Sequence, residues 1–382
     1  MNWDEMISSE EDVVRPTHVE VDLGCLAGNL AAIRAYVGGA KVMTVLKANA
    51  YGHGLIPVAH HMVKHGADYL GVAFLEEGVL LRKAGISAPI LVLGGIAGEQ
   101  IPLFLKYDLT LTAPSVEKLL LIDSAAATLG KLARVHLKVD TGMERIGIHY
   151  YHAEALLKES LKCKHVQVEG IFSHFANADA ADLSPARLQL ERFQSVLSFY
   201  EKHSLPMPLR HIANSAGILQ LPESHLDMVR PGILLYGVYP SRECLTSVPV
   251  TPALKWKSRV AYFKVVQAGD PVSYGSTWQS DHAVRVVTIP VGYGDGYFRA
   301  LSNRSQIIVR GVRYPVVGRV CMDQIMVNLD QGTAYNGDEV ILLGASEGVS
   351  ISAADLADWA GTIPYEVLTN INTRVPRLYC GE

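Results

Sequence analysis

From residue 41 to about 240, short apolar runs alternate with stretches of helical period. The runs at 41–46, 69–74, 90–94, 109–112, 135–140, 166–173, 209–213 and 227–229 read as buried strands. Amphipathic segments such as 115–129 and 184–200 separate most of them. Eight strands alternating with helices predict an α/β chain whose first part is a (β/α)8 barrel of the TIM type. A doubly wound open sheet is the alternative, but its Gly-x-Gly-x-x-Gly signature is absent after the early strands.

The texture changes near 250. Short strands are predicted at 260–266, 283–290, 307–309, 314–320, 325–329 and 339–343, joined by turns rich in Gly and Asp, and helical periods return only at 353–360 and 365–370. The chain is therefore expected to divide into a barrel over 17–245 and a β-rich domain over 246–382. An alternating run at 18–23, before the helical segment 27–36, is expected to pair outside the barrel and pack on the second domain.

Composition narrows the class. A chain of 382 residues exceeds one ordinary core, in keeping with two domains. A formal charge of −4 gives no reason to expect nucleic acid or a membrane surface as partner. No apolar run reaches the roughly 18 residues of a spanning helix. The N-terminus carries Asp4, Glu5, Glu10, Glu11 and Asp12, which is not the basic start of a signal peptide. The five cysteines are scattered, without a Cys-x-x-Cys pair, which suits a reducing cytoplasm and argues against a disulfide framework or a metal site.

The chemistry is sought at the C-terminal ends of the barrel strands. The first ends at Lys47, followed by Ala48-Asn49-Ala50-Tyr51-Gly52-His53-Gly54. A lysine there either snorkels from a strand end or, desolvated, becomes a nucleophilic amine able to hold an aldehyde as a Schiff base. The fifth strand leads to Arg145, which is either a surface loop residue or an anion ligand. His174 follows the sixth and is either a satisfied core histidine or part of a site. Asn214 and Ser215 follow the seventh, Ser215 reading as a helix N-cap. Arg230, Gly232 and Ile233 follow the eighth. A capped helix start beside glycine amides is a phosphate cup. Together with a reactive lysine and an arginine, it suggests pyridoxal 5′-phosphate. On the strand 135–140, the alternate residues His136, Lys138 and Asp140 face the barrel interior, where an ammonium is costly unless paired.

These segments resemble the alanine racemase family. The resemblance is carried by 45–54 around Lys47, 136–147 ending in Glu144-Arg145-Ile146-Gly147, Arg230-Pro231-Gly232-Ile233 with Tyr236-Gly237, and Tyr274-Gly275. It continues through Gly292-Tyr293-Gly294-Asp295-Gly296, Gly318-Arg319-Val320-Cys321-Met322-Asp323 and Thr362-Ile363-Pro364-Tyr365-Glu366. It spans nearly all of the chain after residue 17. The departure is Glu144, where the family usually has glycine.

The resemblance implies a homodimer with shared active sites that interconverts L- and D-alanine, supplying D-alanine for peptidoglycan. Lys47 would hold the cofactor and act as base on one face of the substrate. Tyr274, from the partner subunit, would act on the other, the alternative being a strand-end packing residue. Tyr51, Ser215, Gly232, Ile233 and Tyr365 would hold the phosphate, with Asn214 supporting Ser215 and His174 near the reacting groups. Arg230 would meet the pyridine nitrogen and make the ring a weaker electron sink than a carboxylate partner would. Arg145, Met322 and Asp323 would bind substrate, and Tyr293 would line the entrance. Lys138 would be carbamylated and hold Arg145, the alternative being a salt bridge to Asp140. A racemase of serine or of small amino acids broadly is the neighbouring reading, and a non-catalytic pyridoxal-phosphate carrier is the reading from another class.

Overall fold

A computed structural model describes residues 14–381. The acidic start through Asp12 lies outside the described residues. Two compact units are formed. One comprises Leu26–Ala50 and Gly54–Thr251; the other comprises 14–25, Tyr51–His53 and 252–381.

Strand β1, His18–Asp22, belongs to the second unit. The first unit contains β2 (Lys41–Val45), β3 (Tyr69–Val72), β4 (Ile90–Val92), β5 (Leu111–Ala113), β6 (Ala133–Asp140), β7 (Ile148–His149), β8 (Val166–Phe172), β9 (Leu209–His211) and β10 (Met228–Val229). All pairings among them are parallel, in the orders β10-β2-β3-β4 and β5-β6-β8-β9. A bridge between Leu91 and Thr110 joins β4 to β5. Amide bonds from Asp227 to Arg210 O (3.2 Å) and from Arg230 to Ala213 O (3.0 Å) join β9 to β10. Eight strands thus close on themselves, with helices between successive strands. Being covered on both sides, β2, β4 and β5 are buried along nearly their whole length, and so they read as continuous apolar runs. Inside, Met43, Leu91 and Met228 pack together, with Tyr69 and Leu93 at their edge.

The two-residue strand β7 was not legible in the sequence. After β6 the loop through Arg145 returns beside the strand it left, with Val139 opposite Ile148 and Asp140 opposite His149. Gly147 permits this return: its φ is 122°, and a Cβ there would lie 2.9 Å from the Asp140 amide and 3.0 Å from Lys138 Cγ.

The second unit holds one ten-stranded sheet. Its strands are β1, β11 (Leu254–Arg259), β12 (Tyr262–Val266), β13 (Val284–Ile289), β14 (Gln306–Val309), β15 (Val312–Val317), β16 (Ile325–Asp330), β17 (Glu339–Ser346), β18 (Val349–Ile351) and β19 (Arg377–Cys380). The order is β12-β13-β16-β15-β14-β17-β11-β1-β19, with β18 paired to β17. Strand β1 lies between β11, antiparallel, and β19, parallel. Helices Ala353–Ala360 and Pro364–Thr369 follow β18. Residues 51–53 join this unit through the Gly52 carbonyl, which accepts from Arg377 Nε at 3.1 Å. Gly52 has φ 82°, and a Cβ there would meet the Leu368 carbonyl at 2.2 Å, so no other residue fits.

Candidate active site

Lys47 stands directly after Leu46, at the C-terminal end of β2. The three residues after it turn the wrong way: Ala48, Asn49 and Ala50 have φ near 52–55° and ψ near 46–55°, and Tyr51 continues with φ 52°. A left-handed turn of L-residues costs roughly 1–2 kcal/mol per residue. Its termini are held in compensation. Glu77 Oε1 accepts the Ala48 amide at 2.7 Å, while Glu77 Oε2 accepts the Ala73 amide at 2.8 Å. Asn49 Oδ1 accepts the Leu55 amide at 2.8 Å. Upstream, Tyr236 donates to the Val45 carbonyl at 2.9 Å and so fixes the strand end. Burial lowers the Lys47 ammonium from its ordinary range, helped by the charges of Arg145 and Arg230 and opposed by Glu77. The shift raises the share of the nucleophilic amine form.

Arg230 follows β10 and is buried with donors directed to neutral acceptors alone. Nη1 meets His211 Nδ1 at 2.7 Å; Nη2 donates to the Ser173 carbonyl (2.8 Å) and the Ile212 carbonyl (3.0 Å) and meets His174 Nδ1 at 3.2 Å. Among the described residues no carboxylate pairs with it. Burial depresses its pKa, yet a guanidinium stays charged at neutral pH. Because guanidinium nitrogens only donate, His174 Nδ1 must accept, and in neutral His174 the proton sits on Nε2, free for another group. Burial, and then the charges of Arg230, Lys138, Arg145 and Lys47, hold His174 well below the ordinary histidine range and so neutral.

Ser215 is not the N-cap that sequence reading assigned. Asn214 takes that place, its Oδ1 accepting the Gly217 amide at 2.9 Å, and Ser215 is the first helical residue. The Ser215 hydroxyl is left to face the loop after β10, where Oγ accepts the amides of Gly232 (2.9 Å) and Leu234 (3.2 Å). With two amides on its oxygen, its own proton remains to be donated. The result is a buried hydroxyl donor among small residues at the start of a helix, a setting suited to an anion.

Lys138 is 5% exposed and forms no ion pair among the described residues. Its Nζ lies 4.5 Å from the centre of the Phe172 ring. Burial, reinforced by Arg230 and Arg145 and opposed by Asp140, puts its pKa far below the ordinary lysine range. The expected alternative partner, Asp140, is spent elsewhere. It accepts the amides of Gly142 (2.8 Å), Met143 (2.9 Å) and Arg145 (3.2 Å), fixing the loop that carries Arg145. The Arg145 side chain is exposed. Glu144 occupies a left-handed position, φ 53°, and its carboxylate meets His149 Nε2 at 2.8 Å.

Within the second unit, Tyr51 and Tyr365 have ring centres 6.2 Å apart. Tyr293, Met322 and Asp323 also converge. The Tyr293 amide donates to the Cys321 carbonyl (3.0 Å), the Gly294 amide donates to the Met322 carbonyl (2.9 Å), and Asp323 pairs with Arg374 (2.7 Å). A Cβ at Gly292 would come within 2.4 Å of both the Cys321 and Met322 carbonyls, so the two motifs need glycine to pack. Tyr274 is 73% exposed, on a turn tied to the Met322 segment by Ser273 Oγ, which donates to the Arg319 carbonyl at 2.7 Å. Met322 and Tyr293 are exposed as well.

Sequence reasoning missed Glu77, His211 and Gln189. Gln189 ties two rim loops together: its Nε2 donates to the His174 carbonyl at 3.0 Å and its Oε1 accepts the Ala176 amide at 2.9 Å in the loop after β8, while Nε2 also reaches Thr141 Oγ1 at 3.4 Å after β6. Glu77 alone left a signal, as an acid in the first turn of helix Leu75–Lys83. Among the described residues no cluster of His, Cys, Asp or Glu could hold a metal ion, and no helix is long and apolar enough to cross a membrane.

Residues 21–240 match the family described as alanine racemase, N-terminal domain, and 253–379 match alanine racemase, C-terminal domain. An alanine racemase of Carboxydothermus hydrogenoformans is 46% identical over 368 residues, 96% of this chain and 100% of that protein. One from Halothermothrix orenii is 44% identical over 369 residues, 96% and 97% of the two chains. Among solved structures, alanine racemase from Streptomyces coelicolor superposes with a TM-score of 0.93 at 35% identity, covering 98% of this chain and 100% of that one. The enzyme from Bacillus anthracis with bound L-Ala-P superposes with a TM-score of 0.90 at 36% identity, covering 96% of each.

Proposed function

This chain belongs to the alanine racemase family of pyridoxal-phosphate-dependent isomerases, and we propose that it interconverts L- and D-alanine with two bases, Lys47 and Tyr274. The residues fit the cofactor. Burial lowers the Lys47 ammonium and so raises its share of nucleophilic amine, and the Ser215 hydroxyl, whose oxygen accepts the amides of Gly232 and Leu234, keeps its own proton to donate. Lys47 would hold the aldehyde carbon. Ser215, Gly232, Ile233, Tyr51 and Tyr365 would hold the phosphate, with Asn214 capping the helix that presents Ser215. Bound there, pyridoxal phosphate supplies the electron sink that acidifies the substrate α-hydrogen.

Arg230 is the observation that carries the choice of reaction. Arg230, whose hydrogen-bond partners are all neutral, would meet the cofactor's ring nitrogen, and a fixed positive charge there would disfavour protonation of that nitrogen. The sink is then weak, which suits removal and return of one proton over deeper electronic rearrangement. Lys47 takes or returns the proton on one face and Tyr274 on the other. A free tyrosine titrates near pH 10 and needs cationic or hydrogen-bonding help to act as base. The Nε2–H of His174, oriented by Arg230, is the donor that would supply it.

Tyr274 would come from a partner subunit, making the enzyme a homodimer with shared sites. Its exposure, with that of Met322 and Tyr293, supports this reading. Arg145, Met322 and Asp323 would orient the substrate and Tyr293 would line its entrance. Lys138 would be carbamylated: its unpaired, buried amine is the uncharged form that reacts with carbon dioxide, and the anion produced would answer Arg145. The enzyme would act in the cytoplasm and supply D-alanine for peptidoglycan.

The test is to incubate the purified, cofactor-loaded protein with L-alanine in deuterated water. Appearance of D-alanine with solvent deuterium at the α-carbon supports the proposal. Cofactor binding without α-hydrogen exchange would point to a carrier instead. A parallel panel of small amino acids, serine included, decides between alanine and broader specificity.

A further inference from the structure

The guanidinium of Arg230 is the near end of a longer chain of hydrogen bonds in the barrel core. His211 receives Arg230 Nη1 on Nδ1 at 2.7 Å, and His211 Nε2 meets His136 Nδ1 at 2.8 Å. Both rings are fully buried. The Phe172 ring stacks on His211 at 4.8 Å and 4°, fixing its plane, and His136 meets His211 edge-on at 5.0 Å.

Donor and acceptor roles in this chain are forced. Arginine only donates, so His211 Nδ1 must carry a lone pair. Its proton is then on Nε2 and is donated to His136 Nδ1. That nitrogen must accept, so the His136 proton sits on Nε2, which has no partner among the described residues. The reverse order would place an N–H of His211 against an N–H of Arg230 at 2.7 Å, and a doubly protonated His211 would do the same. Burial and the Arg230 charge keep both rings neutral, His136 being pushed down to about 3.

We infer that His136 is a positioning residue for the proposed reaction: by accepting the His211 Nε2 proton it fixes that ring's tautomer, so that His211 presents a lone pair to Arg230. The inference rests on the racemase reading for its catalytic consequence, and on geometry alone for the relay. Two features argue against simple space filling. The Nε2–H of His136 is buried without a partner among the described residues, a cost that a leucine of similar size would avoid. The strand beside it also gives way to the ring: a Cβ at Gly170 would lie 2.5 Å from His136 Nδ1. What a leucine lacks is the acceptor.

The test uses the holoenzyme with ring-15N-labelled histidine, in which one- and two-bond proton–nitrogen couplings report the tautomer. Both His136 and His211 are expected as neutral, Nε2-protonated rings. An Nδ1-protonated or doubly protonated His211 would overturn the inference, whether or not the protein racemises alanine. The kinetic arm compares two variants. His136→Leu is expected to lower kcat by roughly ten- to a hundredfold, with little change in KM and with His211 no longer held in one tautomer. His136→Asn, whose Oδ1 falls where Nδ1 was, is expected to recover most of that loss and to restore the tautomer. A leucine variant as active as wild type, or an asparagine variant no better than leucine, would reduce His136 to packing.

Discussion

Glu77 Oε1 accepts the amide of Ala48 at 2.7 Å, one residue past Lys47, while its other oxygen takes the amide of Ala73. One carboxylate thus ties the left-handed turn after the first barrel strand to the end of the next. Its charge also opposes the burial that lowers Lys47. Glu77→Ala should therefore act twice. Loss of two charge-assisted hydrogen bonds should cost about 2–4 kcal/mol of stability, read by urea denaturation. The Lys47 amine should also titrate lower still, because an anion that favours the ammonium form is gone. The pH dependence of pyridoxal-phosphate capture by the apoprotein should shift to lower pH.

The turn itself is a second test. Ala48 is exposed and has φ 54°. Ala48→Gly relieves strain but adds unfolded-state entropy, so stability should change by about 1 kcal/mol or less. A β-branched residue should lose roughly 1–2 kcal/mol. Thermal melts of Ala48→Gly and Ala48→Val, compared with wild type, read the difference.

Arg230→Glu would place an acid where the structure has a cation without one. The account predicts a fall in racemisation of about a hundredfold or more, close to 3 kcal/mol of barrier, together with a rise in transamination of the bound cofactor. Single-turnover spectra and analysis of product separate the two. Unchanged racemisation would remove Arg230 from the explanation of reaction type.

Acid stability follows from the buried histidines. His136 is neutral when folded, with its pKa depressed from 6.5 to about 3. Its contribution is therefore complete above pH 6.5 and is lost as pH falls towards 3, because the unfolded chain binds the extra proton. The slope is about 1.4 kcal/mol per pH unit for such a group. His211 and His174 are shifted in the same direction. Unfolding free energy should fall steeply between pH 6.5 and 4, and His136→Leu should flatten that slope by about one histidine's share.

Much of this was legible in the sequence because periodicity and chemistry coincided. Strands such as β2 and β4 are apolar along their length, since helices and core cover both faces, and Lys47, Arg145, His174 and Arg230 fall where those strands end. Strand β11 was equally legible in principle. Leu254, Trp256 and Ser258 are buried and alternate with Lys255, Lys257 and Arg259, but the run adjoins a Pro-containing stretch that read as a boundary. Other features had no local signal. The N-cap at Asn214 rather than Ser215 depends on which side chain reaches the amide of Gly217. His136 and His211 are 75 residues apart, and nothing in either segment announces that they share a proton. Gln189 lies on a long amphipathic helix and looks like one more polar residue until its amide is seen bridging two loops.

The central claim is that Lys47 and a partner's Tyr274 act on one substrate. It is tested most directly by mixing two inactive variants, Lys47→Ala and Tyr274→Phe, under conditions that exchange subunits. In a mixed dimer one site carries both defects and the other carries neither. At equal proportions half of the dimers are mixed, so racemisation should return to about one quarter of the wild-type rate. Activity that stays at the level of the separate variants, with mixed dimers shown to be present, would contradict the shared two-base site.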